Sequence, residues 1–260
     1  SEGQIQAQLN SDHALSQLNL GHITRVPDEG GRRDQRGDGF ELRTDAHGVI
    51  RAKDGLLLTT EARTGAHSHV KSMGETLARL KAAHQQHATL ADLAHQHQAN
   101  EGQHGEVAQA VAEQHHAIEG TGTANPQAGE FPEFTEPHLT LASPAGIEAT
   151  TAGSLHLAAG QHAAVTAGKK VAIAASGLYL SLRHGIRLFA HQTGIRLIAA
   201  AGDIDIRALQ HSFNVNAKLA ITETAETINI GAKSQLHING GGSYITFTAD
   251  GIETGTAGNY

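Results

Sequence analysis

Histidine is the residue type with the most chemistry to offer in this 260-residue chain, which contains 19 of them. Nine lie between His67 and His116, and eight of these form the groups HSH, HQQH, HQH and HH. On a helix, His84 and His87 would share one face, which suits two ligands of a metal ion. No carboxylate or cysteine completes a recognised ligand set, and HExxH is absent. We interpret these histidines as solvated or pH-sensitive surface residues and predict no metal site.

Three other short patterns resemble functional motifs. Arg36-Gly37-Asp38 matches an integrin tripeptide, but its glycine-rich context indicates a turn. The segment AGKK at 167–170 lacks the glycine spacing of a phosphate loop. Asp203 and Asp205 alternate with isoleucines, so both face solvent from one strand. A polysaccharide-cleaving enzyme would need a carboxylate pair across a groove, which only these two aspartates approach. The sequence predicts neither a catalytic site nor a cofactor.

Composition narrows the classes of protein further. Aromatic residues make up 3% of the chain, there is no Trp or Cys, and Gly occurs 30 times. The interior must therefore be built from small aliphatic side chains, without disulfides. The formal net charge is −7, and no basic patch indicates nucleic-acid binding. No apolar run reaches membrane-spanning length, so we expect no stable membrane insertion, and the first residues, SEGQIQAQLN, lack a signal-peptide pattern.

Short apolar doublets dominate the second half of the chain. Two apolar residues separated by one residue recur every eight or nine positions, as in GIRLIAAAGDIDIRALQ, and no proline follows Pro144. Alternation within a doublet is the strand signature, and a fixed period over 100 residues indicates a fibrous array. The predicted core residues are Leu155, Leu157, Val171, Ile173, Ile195, Leu197, Ile204, Ile206, Ile228, Ile230, Leu236 and Ile238.

The period of eight residues is too short for a β-helix made of one chain. It provides one strand and one corner, and two inward side chains cannot enclose a core. Three chains wound about a common axis can. The predicted fold is therefore mainly β, a trimeric, triple-stranded (intertwined) β-helix with an α-helical insertion. The pattern places Arg196 and Asp205 on the outward face, which avoids three like charges at the axis.

Changes of pattern predict five regions. They are an N-terminal extended segment (1–38), first β-helix strands (39–63), a helical insertion (64–125), a proline-rich linker (126–138) and the main β-helix (139–260). The insertion has two thin apolar stripes at helical spacing, and we expect its helices to lie against the trimer or each other. The stripes are Met73, Leu77, Leu80, His84, His87, Ala91 and Ala94, then Val107, Val111, Gln114 and Ile118.

The amino-acid sequence from about Leu18 to Gly258 closely resembles that of a known family. The segments GDGFELRTDAHGVIRAKDGLLLTTEAR, PHLTLASPAGIEATTAGSLHLAAGQHAAVTAGKKVAIAASG and INGGGSYITFTADGIETGTAG resemble the C-terminal spike of VgrG, the valine-glycine repeat protein of bacterial type VI secretion. The resemblance is strongest over the last hundred residues.

The resemblance implies a non-enzymatic homotrimeric needle that punctures a target-cell envelope. It implies assembly in the bacterial cytoplasm and export by the secretion machine rather than by a signal peptide. The expected partners are a PAAR-repeat tip protein, effectors or their adaptors, and the tube and base plate, reached through a hub that is missing from this chain. Tip-side candidates are Gly251, Ile252 and Tyr260. The alternative is a phage-type fibre or adhesin that binds a cell-surface glycan, although exposed aromatics for sugar stacking are few.

Overall fold

The computed structural model describes residues 4–25, 31, 33–66, 69–99 and 104–258. Within these ranges the chain is mainly β, with eight strands and two α-helices. It divides into two compact units, Ser1–Ile195 and Arg196–Tyr260.

The N-terminal region is a three-stranded antiparallel sheet. Strands β1 (Gln6–Ser11), β2 (Ser16–Thr24) and β3 (Gln35–Arg43) are adjacent in chain order. Leu18 pairs with Leu42, and Leu20 pairs with Phe40. The predicted boundary between residues 38 and 39 is wrong, because it cuts through β3. Phe40 and Leu42 belong to this sheet rather than to the first β-helix strands, since their cross-strand partners precede them in sequence.

One face of this sheet is held by a polar network. Asn19, which is 1% exposed, donates from Nδ2 to Glu41 Oε2 at 3.0 Å. Both terminal nitrogens of Arg36 donate to the same carboxylate. The Arg36 guanidinium therefore holds the pKa of Glu41 below its ordinary value. Arg36-Gly37-Asp38 thus lies within strand β3 and not in the turn that the sequence predicted, and Asp38 Oδ1 lies 2.8 Å from His22 Nδ1.

A parallel pair of short strands flanks the helical insertion. Strand β4 (Leu56–Thr59) pairs in parallel with β5 (Leu139–Ala142), 83 residues further along, as Leu56↔Leu139. The backbone N–H of Leu56 also donates to the carbonyl of His138 at 2.8 Å. The intervening residues are therefore inserted between two neighbouring strands.

The insertion contains both helices. Helix α1 (Gly74–Gln96) packs against α2 (His104–Glu119). Gly120 directly follows α2. Its φ of 79° favours glycine, and a Cβ there would lie 2.1 Å from the Glu133 carbonyl oxygen. Met73, Ile118 and Phe134 form the buried core of this region. The presence of two helices confirms the helical prediction, and the proline-rich linker contributes Phe134 to their core.

The C-terminal region is a second antiparallel meander. Strands β6 (Leu236–Gly240), β7 (Ser243–Thr248) and β8 (Gly251–Thr256) pair in chain order. Gly241 and Gly242 form the first two-residue turn with φ of 58° and 86°, as a primed hairpin turn requires. The sequence predicted that the main β-helix extends to residue 260, whereas within one chain these strands pair with the adjacent strands.

Candidate association surface

Between the two meanders the chain runs as a regular series of straight segments and bends. Twelve bends begin seven to nine residues apart from Pro144 to Lys233, and they separate eleven straight segments of six residues each. This spacing confirms the period predicted from the doublets. Leu219 lies in a bend, and Ile221 occupies the second position of the following segment.

The eleven segments share one internal pattern. The second and fourth residues are apolar in nearly all, and the sixth, just before the bend, is alanine in nine of them. In an extended chain these three positions face one side, so that side carries two larger residues and one small one. Segment 220–225 departs from the pattern, because Glu223 stands at its fourth position.

The apolar side of these segments is exposed within one chain. Ile195, Leu197, Ile204 and Ile206 are 54%, 68%, 53% and 61% exposed. The other predicted core residues in the array (Leu155, Leu157, Val171, Ile173, Ile228 and Ile230) are likewise more than half exposed, while Leu236 and Ile238 lie in strand β6. None of the twelve is enclosed by its own polypeptide.

The backbone of the same stretch also lacks a hydrogen-bond ladder within the chain. Residues 104–258 are all described, and from 143 to 235 they form no hydrogen bond between backbone groups. Extended strands whose N–H and C=O groups lack a ladder, and whose apolar side faces water, are unstable alone. This stretch therefore has the composition and conformation of strands that pair with strands from elsewhere.

The helical insertion contacts this array at Ala167, Phe189 and His191. Gln86 of α1 donates from Nε2 to the carbonyl of Ala167 at 2.9 Å. The ring of His97 lies 5.7 Å from the rings of both Phe189 and His191. Phe189 occupies the fifth position of its segment, opposite in parity to Ile186 and Leu188. His97, directly after α1, therefore lies near a ring of opposite parity to the apolar doublets, whose side chains stay exposed.

A cavity of about 370 Å³ lies beside the core of the insertion. Lys71 Nζ pairs with Glu133, and the His69 ring lies within hydrogen-bonding distance of the same carboxylate at 2.8 Å. The Lys71 ammonium, followed by His69, holds the pKa of Glu133 below its ordinary value. Lys71 also lies 4.5 Å above the Phe134 ring. Lys71, His69 and Glu133 pair with one another, so these charged groups stabilise the cavity wall.

The chemical candidates from the sequence do not come together. Asp205 pairs with Arg207 at 2.9 Å on the outward side, and residues 168 and 169 of the AGKK segment form a bend. Among the described residues, no group of three His, Cys, Asp or Glu side chains is close enough to hold a metal ion. His67 lies outside the described residues.

Sequence reasoning missed one buried histidine. His115 is 7% exposed, whereas the stripe predicted for α2 ran through Gln114, which is exposed. The helical period is followed more closely by Val107, Val111, His115 and Ile118 than by the stripe through Gln114. This spacing could have predicted that His115 is buried. His115 therefore belongs to the face that α2 turns toward α1.

The tip-side candidates lie in or beyond strand β8. Ile252 pairs across to Phe247, which pairs to Leu236, so all three side chains share one face of the C-terminal sheet. Ile252 is 66% exposed there. Gly251 begins the strand after a tight turn, and Tyr260 lies outside the described residues.

In the part of the chain that the structure describes, neither helix has the length and apolarity to cross a membrane.

Comparison with known proteins points to one group. Residues 126–260 match the model of a family described as an uncharacterized protein conserved in bacteria (DUF2345), and residues 1–94 match the type VI secretion system Rhs element Vgr. The chain is 36% identical over 231 residues to the type VI secretion system spike protein VgrG2b of Pseudomonas aeruginosa PAO1 and 38% identical over 218 residues to VgrG2a. These matches cover 85% and 80% of this chain but 21% and 25% of the relatives.

Two solved structures share the fold. One is the VgrG spike bound to the Tle1 effector, with a TM-score of 0.84 over all of this chain and 75% of that one. The other is the VgrG spike alone, with a TM-score of 0.83 over all of this chain and 92% of that one. Both are 23% identical to this chain, so they show the fold alone.

Proposed function

Because this chain belongs to the bacterial DUF2345 family and is a spike segment of the VgrG type, we propose that it forms the trimeric shaft of a type VI secretion spike. The observation that carries the proposal is the stretch 143–235, which has neither a backbone hydrogen-bond ladder nor a covered apolar side in one chain. Three chains wound together supply both.

The exposed area of the single chain supports the need for partners. Its accessible surface is 22764 Å². A folded monomer of 27.2 kDa exposes about 11,000 Å², which is about half as much. Joining three copies around one axis would cover the doublets of every segment, and each buried apolar Å² contributes about 25 cal/mol.

The six-residue pattern fits threefold packing. The larger residues at positions two and four would meet their symmetry copies near the axis. The alanine at position six would leave room where each chain turns toward the next segment, because a larger side chain there would meet two copies of itself. Arg196 and Asp205, at the third position of their segments, would remain in water, where their charges need no burial.

A shaft of this kind would transmit force along its axis. Every strand would share backbone hydrogen bonds with neighbouring chains, so no chain could separate without breaking the array cooperatively. Such a needle needs no apolar exterior, because the secretion machine rather than membrane partitioning drives it through an envelope. We therefore assign the chain a mechanical, non-enzymatic role and export by type VI secretion from the cytoplasm in which it assembles.

The proposed partners follow from the same role. A hub would connect the shaft to the tube and base plate, and a PAAR-repeat protein would cap the end nearest β8. Effectors or their adaptors would travel on the outside. The support for cargo is the solved VgrG spike that carries the Tle1 effector and shares this fold.

The test compares one substitution at two adjacent positions of opposite parity. Ile195→Asp would place three carboxylates at the axis, and Arg196→Asp would place them in solvent. In the full-length spike protein, we expect Ile195→Asp to abolish the trimer and effector delivery to neighbouring cells, while Arg196→Asp retains both. Delivery by Ile195→Asp at the wild-type level would overturn the proposal.

A further inference from the structure

A buried histidine lies between the two helices of the insertion. His115 of α2 is 7% exposed, and its Nδ1 has no hydrogen-bond partner. His84, on the facing helix α1, also has a buried Nδ1 without a partner. A buried polar atom without a partner loses its hydration and gains nothing in exchange. A positive charge on His115 would therefore be buried at this contact without a hydrogen-bond partner at Nδ1.

The charges around His115 are mostly positive or become positive in acid. Lys81 and His84 approach it from α1, and His116 lies beside it on α2. Glu119 is the one acidic group near it in the described chain. Its Oε2 lies 3.9 Å from His115 Nε2, 3.7 Å from His116 Nδ1, and its side chain is 52% exposed. A single solvated carboxylate shared by two imidazoles offsets little of a buried positive charge.

We propose that the α1–α2 contact is an acid-labile element, in which protonation of His115 weakens the packing of α2 against α1. The inference goes beyond the shaft proposed above and does not depend on it, because both helices belong to one chain. Its site of action is therefore the insertion itself, and the strands need take no part.

The direction of the effect follows from linkage. Burial, more than any neighbouring charge, lowers the pKa of His115 below its ordinary value. The separated helices therefore bind a proton at a higher pH than the packed helices do. The packing is fully stable above the ordinary histidine pKa of about 6.5. It weakens as pH falls below that value, down to the lower pKa of the packed state.

Opening this contact would uncover apolar surface. Ile118 lies one turn beyond His115 on α2 and packs with Met73 and Phe134 in the core of the insertion. Loss of the α2 contact in acid would expose these side chains while Gln86 still joins α1 to the strand at Ala167. The acid form would thus offer an apolar surface on the outward side of the chain, absent at neutral pH.

Hydrogen exchange on the full chain tests the proposal. We expect the protection of α2 amides, corrected for the pH dependence of chemical exchange, to fall several-fold between pH 7.5 and 5.5. The variant His115→Leu removes the titrating group and should abolish this fall. The matched control His116→Leu changes an exposed neighbour, with a side chain 76% exposed, and should keep it. A wild-type chain without the fall, or His115→Leu with an unchanged fall, would overturn the proposal.

A titration provides a readout that does not depend on a variant folding. The imidazole signal of His115, followed by NMR in the wild-type chain, should titrate below the ordinary histidine value, together with the loss of α2 protection. A midpoint at or above about 6.5 would contradict the proposal even if His115→Leu failed to fold.

Discussion

The helical insertion and the strand array of this chain solve the problem of stability in opposite ways. The insertion buries Met73, Ile118 and Phe134 within one polypeptide and satisfies its backbone through helical hydrogen bonds. Residues 143–235 are richer in Ile, Leu and Val, yet they leave these side chains exposed and form no backbone ladder within the chain. Apolar content alone therefore does not tell whether a region folds by itself.

The difference lies in how the apolar residues are distributed. A helix of 16 or 23 residues gathers distant residues into one stripe that a second helix can cover. A straight segment of six residues presents only two or three side chains before it bends. Such a segment cannot enclose a core by itself, which is why we propose that the array associates with other chains.

The largest expected effect on stability comes from a substitution in a straight segment of the array, compared with one in a bend. Ile206→Ala would remove three buried side chains from one trimer, at about 2–5 kcal/mol for each large-to-alanine truncation. We expect a large fall in the thermal unfolding temperature of the assembled protein. Leu219→Ala is the matched control, because Leu219 is 94% exposed in a bend, and it should leave the unfolding temperature nearly unchanged. Equal effects of the two changes would contradict the assignment of inward positions.

A truncation in the insertion should act locally. Phe134→Ala removes a core ring and should destabilise the insertion by about 3–5 kcal/mol. Hydrogen exchange should then speed up in α1 and α2, while the assembled mass stays the same. The control is Val70→Ala, at a position 95% exposed, which should alter neither. If Phe134→Ala dissociated the assembly, the two regions would not be independent.

A smaller, stabilising effect is expected at Glu223. This residue occupies the fourth position of segment 220–225, where other segments carry an apolar side chain. Because three inward carboxylates cost desolvation energy, Glu223→Ile should raise the thermal unfolding temperature. The control Thr222→Ile places the same side chain at outward parity and should not. A lower unfolding temperature for Glu223→Ile would contradict the inward assignment of this position.

The smallest effect is expected on the outward face. Asp205→Asn breaks the pair with Arg207, in which both side chains are about 70% exposed. Surface changes of this kind usually alter stability by less than about 0.5 kcal/mol. Thermal unfolding should therefore barely change, and effector delivery should be unaffected. A loss of delivery with the trimer intact would show that the aspartate has a functional role that the shaft does not require.

The sequence predicted the array better than its two ends. The period-two doublets located the straight segments because every segment repeats one local rule, as Ile195/Leu197 and Ile204/Ile206 show. The antiparallel meanders escaped prediction because their strands alternate in the same way. The pairing of Leu20 with Phe40, or of Leu236 with Phe247, depends on which strands the turns bring together.

His115 escaped prediction for a different reason. Histidine is common on surfaces, and the 3.6-residue period leaves a one-residue choice between Gln114 and His115 at that turn of α2. Only the position of α1 decides between them. Long-range pairing and helix facing are therefore the two features that local pattern could not supply.

The mass of the protein in dilute solution tests the central claim most directly. Light scattering or native mass spectrometry on the purified chain should give three times 27.2 kDa, with residues 143–235 strongly protected from hydrogen exchange. A stable species of 27.2 kDa with the same protected residues would show that one chain satisfies its own strands, and the trimeric shaft would be wrong.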